Sequence, residues 1–381
     1  MGQDVPAYLS CLAQGQQDAA MAVILEHNPL PAVLGHVCHH PCQEACLAAA
    51  VQAPPAIHEL KRFAALGQRP PVAPPSRRLA GRVAVVGSGP AGLAAAWALA
   101  RGGLGVTIYE AEDRAGGLLA WGIPPFRLPP AALKADLDYI LAHGVKLELN
   151  RRLTPGQVRE MRRKHVAVVL ACGAPQARRA GLPGAGLGGV HLGLDFVKAC
   201  ALGRPPDLRP PVLVVGGGNL ALDAARWALR LAQDVTLVYR RDQEHMPAYA
   251  EEIAQARAEG VEMLFRAQPV AIEGQTRVRG LRVVATAPGA LGSDGRPVFA
   301  PLAGQERLLP AGAVILALGQ ESQAQAWAAG LGLESLSPDG QGLLAPGLHA
   351  AGDLASGPAT VVEAVASGIR CGQAILAEVG A

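Results

Sequence analysis

Val83-Ala-Val-Val-Gly-Ser-Gly-Pro-Ala-Gly92 is an apolar, β-branched run that breaks at glycines and continues into an alanine-rich stretch. That order predicts a strand, a tight turn and a helix. Gly87 would allow the turn, Gly89 would let the backbone approach a pyrophosphate, and Gly92 would let the helix pack on the strand. Pro90 and Ala91 then open the helix, whose N-terminus presents N–H groups and partial positive charge to phosphates. The next β-branched run, Val106-Thr-Ile-Tyr-Glu110, ends on an acid 23 residues after Gly87. A carboxylate in that position accepts the hydroxyls of an adenosine ribose.

The pattern recurs as Val212-Leu-Val-Val-Gly-Gly-Gly-Asn-Leu-Ala221, followed by Val235-Thr-Leu-Val-Tyr-Arg240. Ala221 stands where the third glycine would be, and the second strand ends in Tyr239-Arg240-Arg241. Two guanidiniums there suit a 2′-phosphate rather than a bare ribose, so this copy is expected to prefer NADPH. With Val145–Leu149 and Val166–Leu170 as further strand candidates, β-branched runs alternate with helical stretches from residue 82 onward. This alternation predicts an α/β fold with parallel sheets and two Rossmann-like dinucleotide-binding domains. Residues 1–68 read instead as a small helical region, with helices expected over Ala7–His27 and Ile57–Leu66. A proline-rich stretch, 69–80, is expected to be a stiff linker.

The 381 residues are 50% hydrophobic and 17% charged, with a formal net charge of +3. Such a chain is long enough for two cores and too apolar for disorder. Its arginines are scattered with no basic run interleaved with aromatics, which gives no reason to expect a nucleic-acid partner. The uncharged stretch 83–100 is interrupted by the glycine turn, so no membrane span is expected, and the N-terminus has no signal-peptide pattern. The cytoplasm is the expected compartment. There, seven cysteines are not expected to form a disulfide framework.

Later features suggest a flavin at the first turn. Val314-Ile-Leu-Ala-Leu-Gly319 reads as a buried strand. Leu348-His-Ala-Ala-Gly-Asp353 is a strand ending in an acid that could bond ribityl hydroxyls, and Gly357-Pro-Ala-Thr-Val-Val-Glu363 opens a helix whose N-terminus could stabilise a reduced flavin. Together with Gly116-Gly-Leu-Leu, Gly122-Ile-Pro-Pro-Phe-Arg-Leu-Pro129, Gly216-Gly-Gly-Asn, Tyr239-Arg-Arg241 and Met246-Pro-Ala248, these motifs resemble the small (beta) subunit of NADPH-dependent glutamate synthase and its relatives. The relatives include the flavin and NADPH part of dihydropyrimidine dehydrogenase and the large subunit of NADH-dependent ferredoxin:NADP oxidoreductase.

The resemblance covers about residue 5 to the C-terminus. It implies an NADPH domain at 196–308 inserted into a split FAD domain at 81–195 and 309–381. It also implies an electron-input subunit that passes electrons from NADPH through FAD to an iron–sulfur centre or a protein partner. FAD would contact Gly87, Gly89, Pro90, Ala91, Gly92, Glu110, Gly117, Leu118, Arg127, Leu153, Gly352, Asp353, Ala359, Thr360 and Val361. NADPH would contact Gly218, Asn219, Leu220, Arg240, Arg241, Ala317 and Gly319. Hydride transfer between the two needs proximity more than acid–base side chains, so no catalytic acid or base is assigned. A disulfide reductase would need a Cys-x-x-Cys pair, which the sequence lacks.

Family members typically hold two [4Fe–4S] clusters on two N-terminal cysteine groups. Only the second is recognisable here, as Cys38, Cys42 and Cys46, one thiolate short of four ligands. Three alternatives stay open for these cysteines: no metal, an iron–sulfur cluster (shared with a partner chain, for instance), or zinc completed by His39 or His40. That shortfall motivates a different reading of the whole chain, a non-catalytic FAD-binding docking subunit.

Overall fold

The computed structural model describes residues 1–51, 53–179, 181–292 and 297–380. The chain forms two compact units. The first comprises residues 1–120, 125–175 and 322–381. Its six-stranded sheet runs in the order Leu343–Ala345, Leu348–Ala350, Ala167–Leu170, Arg82–Val86, Gly105–Tyr109, Lys146–Glu148. All neighbours are parallel except the first pair. Arg82–Val86 is central and buried from Val83 onward. A strand covered on both faces has no polar side to show, which is why its sequence is a continuous apolar run.

Helices Pro90–Arg101 and Val361–Glu378 pack together on this sheet. A Cβ at Gly368 would lie 2.1 Å from the Ala91 carbonyl oxygen and one at Gly372 2.9 Å from the Ala98 Cβ, so glycine sets how closely the two helices approach.

The N-terminal region departs from the expected pair of helices. Ala7–His27 is two helices, Val5–Ala13 and Gln17–Leu25, separated at Gly15 with φ +72°. Pro31–Val37, Pro41–Glu44, a 3-10 turn at Leu47–Ala50 and Ile57–Ala64 follow. Tyr8, Ala20, Ile24, Ile57 and Ala64 form a small core of their own. Nor is the proline-rich stretch a spacer to a separate body. Asp136, on helix Pro130–Ala142 and 0% exposed, accepts hydrogen bonds from Ala32 N (3.3 Å) and Val33 N (2.8 Å) and an ion pair from Arg69. This clamp ties the N-terminal helices and the linker into the first unit. Burial pushes the Asp136 carboxyl up to about 6, against the lowering effect of those three partners.

The second unit comprises residues 121–124 and 176–321, wider on both sides than the expected 196–308. The reason is sheet pairing: Val190–Leu192 and Ala313–Leu316 are hydrogen-bonded neighbours, and Ala313–Leu316 also pairs with Val212–Val215. Its parallel sheet continues through Val235–Val238 to Glu262–Leu264. A three-stranded antiparallel sheet, Ala267–Gly274, Val278–Leu291 and Pro297–Pro310, and a two-strand ladder joining Gln176–Ala177 to Gln320–Glu321 complete the unit. No described helix is long and apolar enough to cross a membrane.

Candidate dinucleotide and metal sites

At the first turn, Gly87 has φ +103°, and a Cβ there would meet the Ala171 carbonyl oxygen at 2.5 Å. A Cβ at Gly92 would stand 2.0 Å from the Gly87 carbonyl oxygen, whereas Gly89 faces open space. Two glycines thus serve the chain's own packing and the middle one leaves room for a ligand's phosphates. No side chain caps helix Pro90–Arg101, so that N-terminus keeps its anion-binding character. Gly117 approaches from the other side: a Cβ there would lie 3.0 Å from Gly89 Cα. Gly352, with φ +67°, comes against Ala91, where a Cβ would sit 2.7 Å from the alanine Cβ. The chain therefore gathers Gly87, Gly89, Pro90, Ala91, Gly92, Gly117 and Gly352 at one place.

Glu110 is 6% exposed and fully engaged on one oxygen. Its Oε2 accepts from Ser88 N (2.9 Å) and Ser88 Oγ (2.5 Å), and its Oε1 accepts from Glu112 N (2.9 Å). A carboxylate offers about four acceptor positions, so room for a ribose hydroxyl remains on Oε1. Ser88 also takes the Gly116 N–H at 3.0 Å. It is a buried keystone between the glycine turn, Glu110 and the Gly116–Gly117 loop that the glycine pattern treats as a filler position.

Asp353 begins the short helix Asp353–Ser356 and accepts from Ala359 N at 3.3 Å. Burial pushes its carboxyl up to about 6. Thr360 caps Val361–Glu378 in a reciprocal box: Glu363 N donates to Thr360 Oγ1 (3.3 Å), and Thr360 N donates to Glu363 Oε2 (2.9 Å). Hydrogen bonds from Thr360 hold Glu363 below the usual carboxylate range. This helix end thus already carries a carboxylate, placed by the Thr-x-x-Glu spacing of a capping box, which weakens its pull on a second anion. Leu118 opens a short helix, Leu118–Trp121, and Arg127 is half-buried. Leu153 packs in the apolar core with Ala84, Val86 and Leu170, so its backbone is the part that could face a ligand.

In the second unit, Gly216 has φ +147°, and a Cβ there would lie 2.4 Å from the Ala317 carbonyl oxygen. Gly217 is bare for another reason, since a Cβ would lie 2.3 Å from the Tyr239 ring. Helix Asn219–Ala232 starts without a side-chain cap. The Asn219 Oδ1 instead accepts Tyr249 N at 3.1 Å, Gly217 O accepts Ala248 N at 3.2 Å, and Tyr239 OH donates to His245 O at 2.6 Å. The segment 242–249 is thereby fastened against the glycine turn.

Leu220 is half-buried beside Asn219, and Gly319, with φ +105°, faces open space. Arg240 is exposed and Arg241 half-buried, and neither makes an ion pair among the described residues. Deeper down, Arg226, 1% exposed, bonds Glu252 (2.9 Å) and Glu259 (2.6 Å), fixing helix Ala250–Ala258 to helix Asn219–Ala232. Against burial, which raises it, Arg226 and Arg230 hold Glu259 down at about 2.

The cysteine segment lies in the first unit. Cys38 caps Pro31–Val37, Cys42 is exposed on Pro41–Glu44, and Cys46 precedes the 3-10 turn. Tyr8 senses both Cys42 and Cys38, and Lys61, 7% exposed, faces Cys42. Among the described residues the three sulfurs do not all converge within 4.8 Å of one another. Three thiolates on one tetrahedral zinc stand about 3.8 Å apart, so a preformed zinc site does not fit. Away from this segment, burial pushes the Cys172 and Cys371 thiols each up to about 12, which disfavours their reactive thiolate forms.

Residues 81–368 match the pyridine nucleotide-disulphide oxidoreductase family. The chain belongs to that family. Membership makes it a flavoprotein oxidoreductase with FAD and NADPH as cofactors. Residues 1–69 match the dihydropyrimidine dehydrogenase domain II, 4Fe-4S cluster, family, which supports an iron–sulfur role for the cysteine segment.

Among curated relatives, the beta subunit of the NADP(+)-dependent formate dehydrogenase of Moorella thermoacetica is 37% identical over 98% of this chain and 58% of its own length. The beta subunit of the NADPH-Fe(3+) oxidoreductase of Geobacter sulfurreducens is 37% identical over 84% of this chain and 49% of its own. The chain thus spans 58% and 49% of the length of these two relatives. It matches 85% of the NADPH glutamate synthase small chain of Halomonas elongata at 32% identity, covering 98% of this chain. Mycobacterium tuberculosis FprA in complex with NADPH shares the fold with a TM-score of 0.66 at 19% identity, over 80% of this chain and 85% of that one. Thioredoxin reductase from T. acidophilum does so with 0.57 at 19% identity, over 78% and 98%.

Proposed function

We propose that the chain is the electron-input part of a larger redox enzyme, taking electrons from NADPH at the second turn and delivering them by way of FAD at the first. Bound FAD would supply a hydride acceptor able to hand electrons on singly. The residues' tasks are to bind and orient. Gly87, Gly89, Pro90, Ala91 and Gly92 cradle the FAD pyrophosphate. Glu110, positioned by Ser88, takes the ribose, while Gly117, Leu118, Arg127, Leu153, Gly352, Asp353, Ala359, Thr360 and Val361 surround the remainder. Gly218, Asn219, Leu220, Ala317 and Gly319 receive NADPH, and Arg240 and Arg241 take its 2′-phosphate. Cys38, Cys42 and Cys46 supply thiolates toward an iron–sulfur cluster. Relatives named as beta subunits or small chains favour a protein partner as the next acceptor.

The observation that carries the reading is the contrast between the two strand ends. One closes on a buried carboxylate with an acceptor position to spare. The other closes on two guanidiniums without an ion pair among the described residues. Anaerobic NADPH should bleach the flavin absorbance faster than NADH does. Arg240→Ala with Arg241→Ala should raise the NADPH Kd about 10- to 150-fold and leave NADH nearly unchanged, because charge-assisted phosphate bonds contribute about 1.5–3 kcal/mol. A wild type that prefers NADH would overturn the phosphate assignment. A protein whose flavin NADPH cannot bleach would instead favour the docking-subunit reading.

A further inference from the structure

We propose that Arg266 sets the preference for a 2′-phosphorylated cofactor by removing Asp242 from the phosphate site, an inference that rests on Arg240 and Arg241 being the 2′-phosphate residues. Asp242 follows Arg241 directly. An acid near this strand end is the usual partner of an unphosphorylated ribose and repels a phosphate. Here both its oxygens are occupied. Arg266 Nε donates to Oδ1 at 2.6 Å and Arg266 Nη2 donates to Oδ2 at 3.2 Å, a fork that fits a carboxylate plane. Asp242 makes no ion pair with Arg240 or Arg241 among the described residues. Glu244 also faces the Arg266 guanidinium.

The same residue holds the arginines' main chain. Arg266 N donates to Arg241 O at 3.2 Å, and Arg266 O accepts Thr286 N at 2.9 Å. Thr286, 2% exposed, turns its Oγ1 to Arg240 O at 2.7 Å. Backbone and side chain of Arg266 therefore act together, one fixing where Arg240 and Arg241 stand and the other cancelling the acid beside them. Arg266 lies between Glu262–Leu264 and Ala267–Gly274 with φ +54°. Asparagine tolerates that left-handed conformation and alanine does not, so asparagine is the informative replacement.

The test uses FAD-loaded protein and calorimetric Kd values for adenosine 2′,5′-bisphosphate and for 5′-AMP. Arg266→Asn should raise the bisphosphate Kd about tenfold and leave that of 5′-AMP unchanged or lower. Adding Asp242→Asn should restore bisphosphate binding to within about threefold of wild type, since the uncovered charge is then gone. Asp242→Asn alone should bind the bisphosphate as tightly as wild type or a few-fold tighter, because it uncovers the Arg266 guanidinium beside the site, and should leave 5′-AMP nearly unchanged. That single variant keeps the Arg266 backbone clamp, so it decides the matter even if Arg266→Asn does not fold. Equal loss of both ligands in Arg266→Asn, failure of the double variant to recover, or weaker bisphosphate binding in Asp242→Asn alone would each overturn the inference. If Arg240→Ala with Arg241→Ala binds both ligands as wild type does, the phosphate-site reading fails instead, whatever Arg266 does.

Discussion

Replacing Ser88 by alanine removes one hydroxyl and two hydrogen bonds at a fully buried position. The bond to Glu110 is charge-assisted, in the class that contributes about 1.5–3 kcal/mol, and the Gly116 N–H would be left without its acceptor at about 1–3 kcal/mol. Glu110 would keep the Ser88 and Glu112 backbone donors, which points to the lower half of the summed range, about 3 kcal/mol. Part of that falls on folding and part on the ligand, because Glu110 then loses the contact that fixes its plane. We expect Ser88→Ala to raise the FAD Kd about 10- to 100-fold, equivalent to about 1.4–2.7 kcal/mol. Apoprotein would be titrated with FAD by flavin fluorescence, and Ser88→Ala, Glu110→Gln and the double variant would form a cycle. Coupling of at least about 1 kcal/mol is expected between residues that share a bond. Additive effects, or an alanine variant that holds FAD like wild type, would refute the keystone role.

Asp136 gives a pH signature. Its folded carboxyl lies at about 6 against an ordinary 3.8, so the folded state binds this proton more tightly than the unfolded one. Its contribution should therefore rise as pH falls from about 7 to about 4. The wild-type advantage over Asp136→Asn should grow by about 3 kcal/mol across that window in urea melts, and a flat difference would contradict it. Thr360→Ala removes the cap of Val361–Glu378 and should cost about 1 kcal/mol of stability, read as a lower urea midpoint, with Thr360→Ser near wild type.

Both glycine turns could be located from sequence because three constraints act within ten residues: a buried strand, a left-handed turn and an uncapped helix. Val83–Gly92 and Val212–Ala221 satisfy all three. The N-terminal helices were less legible, since Ala7–His27 is made of helix formers throughout and only Gly15 marks the break. Ser88, Asp242–Arg266 and Thr286 were invisible for a different reason. Each acts through a partner 22, 24 or 46 residues away, and side-chain pairing at such separations leaves no local periodicity. The outer bounds of the second unit escaped likewise, because Val190–Leu192 is three residues long and is tied to that unit only through its pairing with Ala313–Leu316.

The split of the first sheet also sets an order of events at the ribosome. Ala167–Leu170 waits for Leu348–Ala350 to become its neighbour, and the intervening chain holds nearly all of the other unit. At about 5–20 residues per second that wait is on the order of ten to forty seconds. During it the segment 176–321 can close its own sheets, while Ala167–Leu170 presents a bare apolar edge of the kind that recruits foreign strands. Nascent chains halted before residue 348 should therefore be the ones that chaperones hold longest.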